Sequence, residues 1–196
     1  MGKVVTGFLT SLDGFIAGPN DDVQRLFKWY NSGDTEVKFP GGKVVKVSPA
    51  SAKHIQDVHL KVGAMVTGRR QFDLAKGWSG KHPADIPIFV VTHTIPQEWV
   101  DRKGSPFTFV AEGVESAVEQ ARAVAGDKNI GIDGASISQQ CIKAGLVDEI
   151  GVDLVPVLLG SGVRFFDHLG VTPIELETLK VIEAPGVTHI TFRVIK

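Results

Sequence analysis

The chain is 196 residues long, 43% hydrophobic and 22% charged, with a formal net charge of −1. That is enough apolar material for one domain with a full core, so global disorder is excluded. The balanced charge, without clusters of Lys and Arg, also excludes a nucleic-acid-binding surface.

The N-terminal MGKVVTGFLTSLDG lacks the apolar run of a signal peptide or membrane helix. Residues 3–10 read instead as a first strand. The segment 11–20, SLDGFIAGPN, carries Gly, Pro and Asn and turns the chain across the strand end. Asn20 or Asp21 suits the cap of a helix running through Tyr30, with Val23, Leu26, Phe27 and Tyr30 on its apolar face. Trp29 and Tyr30 fit either the core or the wall of a pocket for a flat ring. Residues 36–47 alternate on both sides of Gly41-Gly42, which signals an inserted β-hairpin. Ser48 caps and Pro49 starts a helix to about Val62, with Ile55, Val58 and Val62 on the core face. A buried strand at 63–67 runs into Gly68-Arg69-Arg70, where another helix begins. Two arginines there oppose the helix dipole, which either a bound anion or plain solvation resolves. Residues 87–92 form a continuous apolar strand ending in Thr92-His93-Thr94, and 107–111 form another. A helix at 114–125 precedes a short strand at 129–132 and the Asp133-Gly134 turn. The next helix spans 136–144, has Ile137, Cys141 and Ala144 on one face, and stops at Gly145. An apolar strand at 150–159 ends in Gly160-Ser161-Gly162. Strands at about 173–183 and 187–195, joined by Ala184-Pro185-Gly186, close the chain.

This order predicts an α/β fold: a central, mixed, mostly parallel sheet, helices on both faces, and a C-terminal antiparallel hairpin, in one domain over 1–196. The lone Cys141 excludes an internal disulfide, fits a reducing cytoplasm, and sits where a structural thiol would. His54, His59, His82, His93, His168 and His189 lack zinc spacing, so no metal is expected. In such sheets ligands bind beyond the C-terminal strand ends. Three loops meet there: Thr67-Gly68-Arg69-Arg70, Thr92-His93-Thr94 and Asp133-Gly134-Ala135-Ser136. Helix N-termini, arginines and hydroxyls together suit a dinucleotide with an extra phosphate. The G-x-G-x-x-G fingerprint is absent.

The segments TSLDGFIAGPN, VTGRRQF, VVTH, IDGASISQQ, AGLVDEI and PVLLGSGVRFF resemble the dihydrofolate-reductase-like superfamily. They are most similar to the reductase domain of riboflavin biosynthesis and its stand-alone relatives. The likeness covers nearly the whole chain in the same order. It implies a dihydrofolate-reductase-like fold, NADPH as hydride donor, a small heterocyclic substrate and a homodimer. It assigns Thr67, Gly68, Arg69 and Arg70 to the cofactor phosphates, and Thr92 and His93 to the adenosine phosphate. Gly134, Ala135, Ser136 and Ile137 match the pyrophosphate turn, Ile16 and Ala17 the loop along the nicotinamide, and Ser11 and Asp13 the S-x-D-G segment beside the reacting ring.

Two departures stand out. The family's Gly-Gly at the pyrophosphate turn is replaced by Asp133-Gly134, which puts Asp133 either on the substrate side or in the role of a turn aspartate hydrogen-bonded to its own backbone. The helix acid that grips a pterin is replaced by Ser51, Ala52 and Lys53, with Asp57 a turn and a half later, so dihydrofolate reduction is not expected. The expected activity is reduction of a C=N or C=O carbon, with 5-amino-6-(5-phosphoribosylamino)uracil the named substrate. The alternatives are a pteridine-like or other carbonyl or imine substrate, or a nucleotide-binding paralogue without catalysis. Asp13, Asp133 and Asp153 are the candidates for orienting substrate or delivering a proton. Asp153, in an apolar strand, needs a partner or a pocket unless it faces outward. Lys28 and Arg164 are candidates for a substrate phosphate.

Overall fold

The computed structural model describes residues 2–100 and 104–196, with the side chain of His59 outside the description. Its strands are β1 (Val4–Ser11), β2 (Phe15–Ala17), β3 (Thr35–Lys38), β4 (Val44–Val47), β5 (Val62–Gly68), β6 (Ile88–Val91), β7 (Phe107–Val110), β8 (Asn129–Ile132), β9 (Glu149–Val155), β10 (Val163–Arg164), β11 (Leu176–Ala184) and β12 (Val187–Val194). The helices are α1 (Pro49–Val58), α2 (Arg69–Leu74), α3 (Gln97–Val100), α4 (Val114–Ala125) and α5 (Ala135–Lys143). An eight-stranded sheet runs in the order β11-β12-β9-β1-β8-β5-β6-β7. From β9 to β7 all neighbours are parallel, and β12 and β11 then add on antiparallel at the other edge. The β3–β4 hairpin stands apart as its own two-stranded sheet.

Side chains alternate across a strand, so each face of this sheet has its own core. Val4, Ala64, Val66, Ile130 and Ile150 point to the face covered by α4 and α5. The opposite face is covered in two patches. One is built by α1 and the hairpin, around Leu26, Trp29, Val47, Ile55 and Val187. The other is built by α2 around Phe72, Ile88, Val90 and Phe107. Between them the sheet floor carries Gly7 opposite Gly151, and Gly131 beside Val5 and Met65. Three residues without side chains, under no helix, leave a hollow in the middle of the sheet.

The stretch 20–30 is not the α-helix its spacing predicts. Two 3-10 turns, Pro19–Asp21 and Lys28–Asn31, take its place. Asn20 and Asp21 sit at φ 58° and 59°, which no right-handed helix continues from. Leu26 and Trp29 are nevertheless buried, so the apolar spacing recorded burial rather than helix. Two other expected elements end early: α1 stops at Val58 and β9 at Val155.

Candidate active site

The SLDG and GSG segments clasp each other. Ser11 Oγ donates to Asp13 Oδ1 at 2.5 Å and accepts from the Phe15 N–H at 2.9 Å. Asp13 in turn accepts the backbone N–H of Leu159 at 3.1 Å and of Gly160 at 2.7 Å. The hydrogen bond from Ser11, joined by those backbone donors, holds the Asp13 carboxyl down at about 2 against some desolvation. Gly162 packs so closely that a Cβ there would lie 1.9 Å from the Ala17 carbonyl oxygen. Gln139 ties the same loop to α5 through the carbonyls of Arg164 and Phe165. Ser11 and Asp13 therefore anchor a loop. Neither is among the residues that line the two cavities described below.

Beyond the C-terminal ends of β5 and β8, against the middle of β1, lies a cleft of about 820 Å³. Ile16, Ala17, Gly68, Arg70, Gly134, Ala135, Ser136 and Ile137 all line it. Gly134, at φ 87°, makes the turn into α5 through a trans peptide and leaves that helix N-terminus without a side-chain cap. The buried Thr67 hydroxyl has no hydrogen-bond partner among the described residues and lies 3.9 Å from where a Gly134 Cβ would stand. Gly68 is equally constrained, since a Cβ there would meet Ile137 at 2.9 Å. An uncapped helix end, an orphan hydroxyl beneath it and bare backbone on both sides fit a pyrophosphate.

The arginines are not idle beside this cleft. Arg69 pairs with Asp73 at 2.8 Å and donates to the Thr94 carbonyl at 2.9 Å. Arg70 pairs with Asp21 at 2.8 Å. Acid partners thus offset the dipole conflict within the chain itself. Arg69, Thr92 and His93 cluster outside the cleft lining, at the β6 end. The Thr92 hydroxyl is occupied by both the N–H and the carbonyl of Thr94, so it shapes its turn rather than standing ready as a donor. Arg164 lines the cleft over the Phe15 ring, whereas Lys28 is exposed and lines neither cavity.

The hollow over the glycine floor is a second cavity of about 360 Å³. Phe8, Phe27, Tyr30 and Asp133 border both cavities, so the two adjoin. Tyr30 therefore walls a pocket, while Trp29 is core. Asp133, half-buried at the junction, has its carboxyl pushed up to about 6 by desolvation, opposed by the Gly134 N–H. Asp153 is buried and lines the second cavity, so it does not face outward. Its Oδ1 lies 2.7 Å from His189 Nδ1 and 3.3 Å from His54 Nε2. His189 Nε2 is 2.9 Å from Ser51 Oγ. The sequence reading met His54 and His189 only as histidines without zinc spacing and Ser51 only in place of a pterin-gripping acid, and did not bring them together with Asp153. The available signal was strand alternation: His189 sits directly across from Asp153 in the β9–β12 register.

Residues 2–189 match the family model described as the RibD C-terminal domain. Over 168 residues the chain is 24% identical to the uncharacterized protein YwjB of Bacillus subtilis, spanning 85% of this chain and 84% of that protein. A solved structure from Shewanella sp. PV-4, provisionally named for riboflavin biosynthesis, superposes with a TM-score of 0.74 at 23% identity and 99% coverage of both chains. The diaminohydroxyphosphoribosylaminopyrimidine deaminase/5-amino-6-(5-phosphoribosylamino)uracil reductase of Thermotoga maritima gives 0.63 at 13% identity, covering 99% of this chain and 57% of that one. The fold is dihydrofolate-reductase-like, and the chain belongs to the RibD C-terminal domain family, a family of reductase type.

Proposed function

We propose that this protein is an NADPH-dependent reductase acting on a C=N or C=O carbon of a small polar heterocycle or its ring-opened sugar. The favoured substrate is 5-amino-6-(5-phosphoribosylamino)uracil, reduced from ribosyl to ribityl in riboflavin biosynthesis, the activity named for the Thermotoga relative. The observation that carries this reading is Asp133, set between the large cleft at the strand ends and a second, aromatic-walled cavity, with a carboxyl raised to about 6 by desolvation.

Gly68, Gly134, Ala135, Ser136 and Ile137, with the Thr67 hydroxyl, would hold the cofactor pyrophosphate. Ile16 and Ala17 would lie along the nicotinamide. Arg69 and His93, at the β6 end, would meet the 2′-phosphate. Bound NADPH supplies the hydride. The protein's own work is to hold the reacting groups in line and to manage one proton. A carboxyl near 6 keeps about a tenth of its proton at pH 7, and such a group can pass it to the substrate nitrogen or oxygen as the adjacent carbon is reduced. A desolvated junction strengthens that hydrogen bond and keeps bulk water from competing.

Titration of the protein with NADPH, followed by NADPH oxidation with the phosphoribosylamino-uracil, tests the reading. Asp133→Asn should spare NADPH affinity and cut turnover by about 100-fold or more. Tight binding without turnover on any C=N or C=O candidate would point to a nucleotide-binding protein instead. Failure to bind NADPH would sink the reading altogether.

A further inference from the structure

We propose that His54, Asp153 and His189 form a site for one divalent transition-metal ion at the wall of the second cavity. The site stands apart from the large cleft and does not rest on the function proposed above.

The three side chains come from three elements: α1 supplies His54, β9 Asp153 and β12 His189. No local spacing in the sequence reveals such a set, so histidine spacing alone misses it. All three are buried, and one donor atom from each lies within 4.8 Å of the others. Both imidazoles converge on one oxygen: Asp153 Oδ1 is 2.7 Å from His189 Nδ1 and 3.3 Å from His54 Nε2. A zinc-type ion sits about 2.0–2.1 Å from such donors, which sets tetrahedral ligand atoms roughly 3.3 Å apart. The His54 contact already has that spacing, and the His189 contact needs to open only slightly.

Ser51 supports the nearer imidazole. Its buried hydroxyl lies 2.9 Å from His189 Nε2 and accepts from Ser48 Oγ. Metal-bound imidazoles keep their outer N–H on such a partner. With the ring proton on Nε2, His189 Nδ1 turns a bare lone pair on a carboxylate oxygen at 2.7 Å, and a cation between them removes the conflict. Trp29 packs edge-on against the same ring at 5.1 Å, so His189 is held. His54 stacks on His189 at 4.1 Å with 20° between planes. Its ring has to tilt to aim Nε2 at a shared ion, and the cavity it borders gives it room. Two imidazoles and one carboxylate suit zinc, cobalt or iron(II), whereas magnesium and calcium take oxygen shells. Three protein ligands leave a further position. His54 and Asp153 both line the second cavity, so that position opens on it, where water or an oxygen of a bound molecule can enter.

Isothermal titration of the full chain, stripped with a chelator and then freed of it, with zinc chloride and with cobalt chloride tests this without turnover. One ion should bind per chain with a micromolar or tighter Kd, and millimolar magnesium or calcium should not displace it. The cobalt form should show the strong visible absorption of a four-coordinate ion. Asp153→Asn and His54→Gln, close in shape to the native side chains, should each weaken zinc by about 10-fold or more. Ser51→Ala should keep the stoichiometry and weaken zinc by about 10-fold, the low end for a residue that orients a ligand. His168→Ala, at an exposed histidine, should leave zinc affinity within twofold. Zinc should also raise the Tm of the wild type, and that rise should shrink in the two ligand variants even where they fold less well. Wild-type protein that takes up no stoichiometric zinc at micromolar concentration overturns the proposal. So does a loss of less than 10-fold in both Asp153→Asn and His54→Gln, or an equal loss in His168→Ala, which would mark surface binding. An unchanged affinity in Ser51→Ala overturns its part in the site. NADPH binding and turnover are read separately, so a negative result here leaves the reductase reading standing.

Discussion

Asp133→Asn tests the junction through folding, independently of any ligand. The substitution keeps the shape of the side chain and removes its charge. Desolvation raises the folded-state carboxyl from 3.8 to about 6. Below pH 3.8 the group is neutral in both folded and unfolded chains, and the stability it lends is fully present. As pH rises through this window the unfolded chain gives up its proton first, so the folded chain binds more protons and stability falls. Above about pH 6 the folded group has ionised too, and the loss is complete. The gap between 3.8 and 6 is worth about 3 kcal/mol. Asn never ionises, so the variant should match the wild type near pH 3.5 and gain steadily to about 2–3 kcal/mol by pH 7.5. For a chain of this length that is a rise in Tm of roughly 5–10 °C. Urea unfolding of both proteins at several pH values, without cofactor, measures the difference directly, and contributions from other groups cancel. A difference that stays constant from pH 3.5 to 7.5, or that turns against Asn as pH rises, would refute the desolvated junction.

Arg69→Ala should lose NADPH affinity by ~1.5–3 kcal/mol, the range for a charge-assisted hydrogen bond, while NADH binding and the Arg70→Ala variant change much less; fluorescence titration of both cofactors decides it. Equal effects on NADPH and NADH would show that Arg69 does not read the 2′-phosphate. Gly162→Ala should lower stability by at least ~2 kcal/mol in a denaturant melt, because its Cβ would stand 1.9 Å from the Ala17 carbonyl oxygen at φ 139°. Native protein should resist thiol reagents until unfolded, since burial, helped by the charge of Glu115, pushes the Cys141 thiol up to about 12; rapid labelling at pH 8 would contradict its burial.

Most of the sheet was legible because each element carries its own local signal. The alternation of apolar residues in β1, β8 and β12 and the spacing in α4 need no distant partner to be read. The stretch 20–30 was not legible, and the reason is physical. Leu26 and Trp29 are buried by tertiary contacts with the hairpin, α1 and His189, and burial of that kind imposes apolar spacing without imposing helical dihedrals. The large cleft at the strand ends was legible for a third reason. Gly68, Gly134 and the helix behind them are contiguous motifs whose geometry is set within a few residues. The Arg69–Asp73 pair was readable too, as an i, i+4 contact, once the arginine is not assumed free.

The three aspartates mark the limit of that legibility, because an acid's chemistry is set by what the fold brings to it. Asp13 and Asp153 each looked like a substrate contact in sequence. The partners that separate them lie far off: Gly160 is 147 residues from Asp13, and His189 is 36 from Asp153. The Ser11 hydroxyl, joined by the backbone donors of Leu159 and Gly160, holds the Asp13 carboxyl low where it clasps a loop. Imidazoles make Asp153 a held acceptor facing the glycine-floored cavity. Asp133 gains desolvation and a single backbone donor, and its carboxyl rises rather than falls. One residue type thus takes three states within one fold, and only the middle one in sequence order stands where both cavities meet. A proton donor for a reduction has to be the acid that is costly to ionise and adjacent to both reactants. Among the three, Asp133 alone borders both cavities, and desolvation raises its carboxyl.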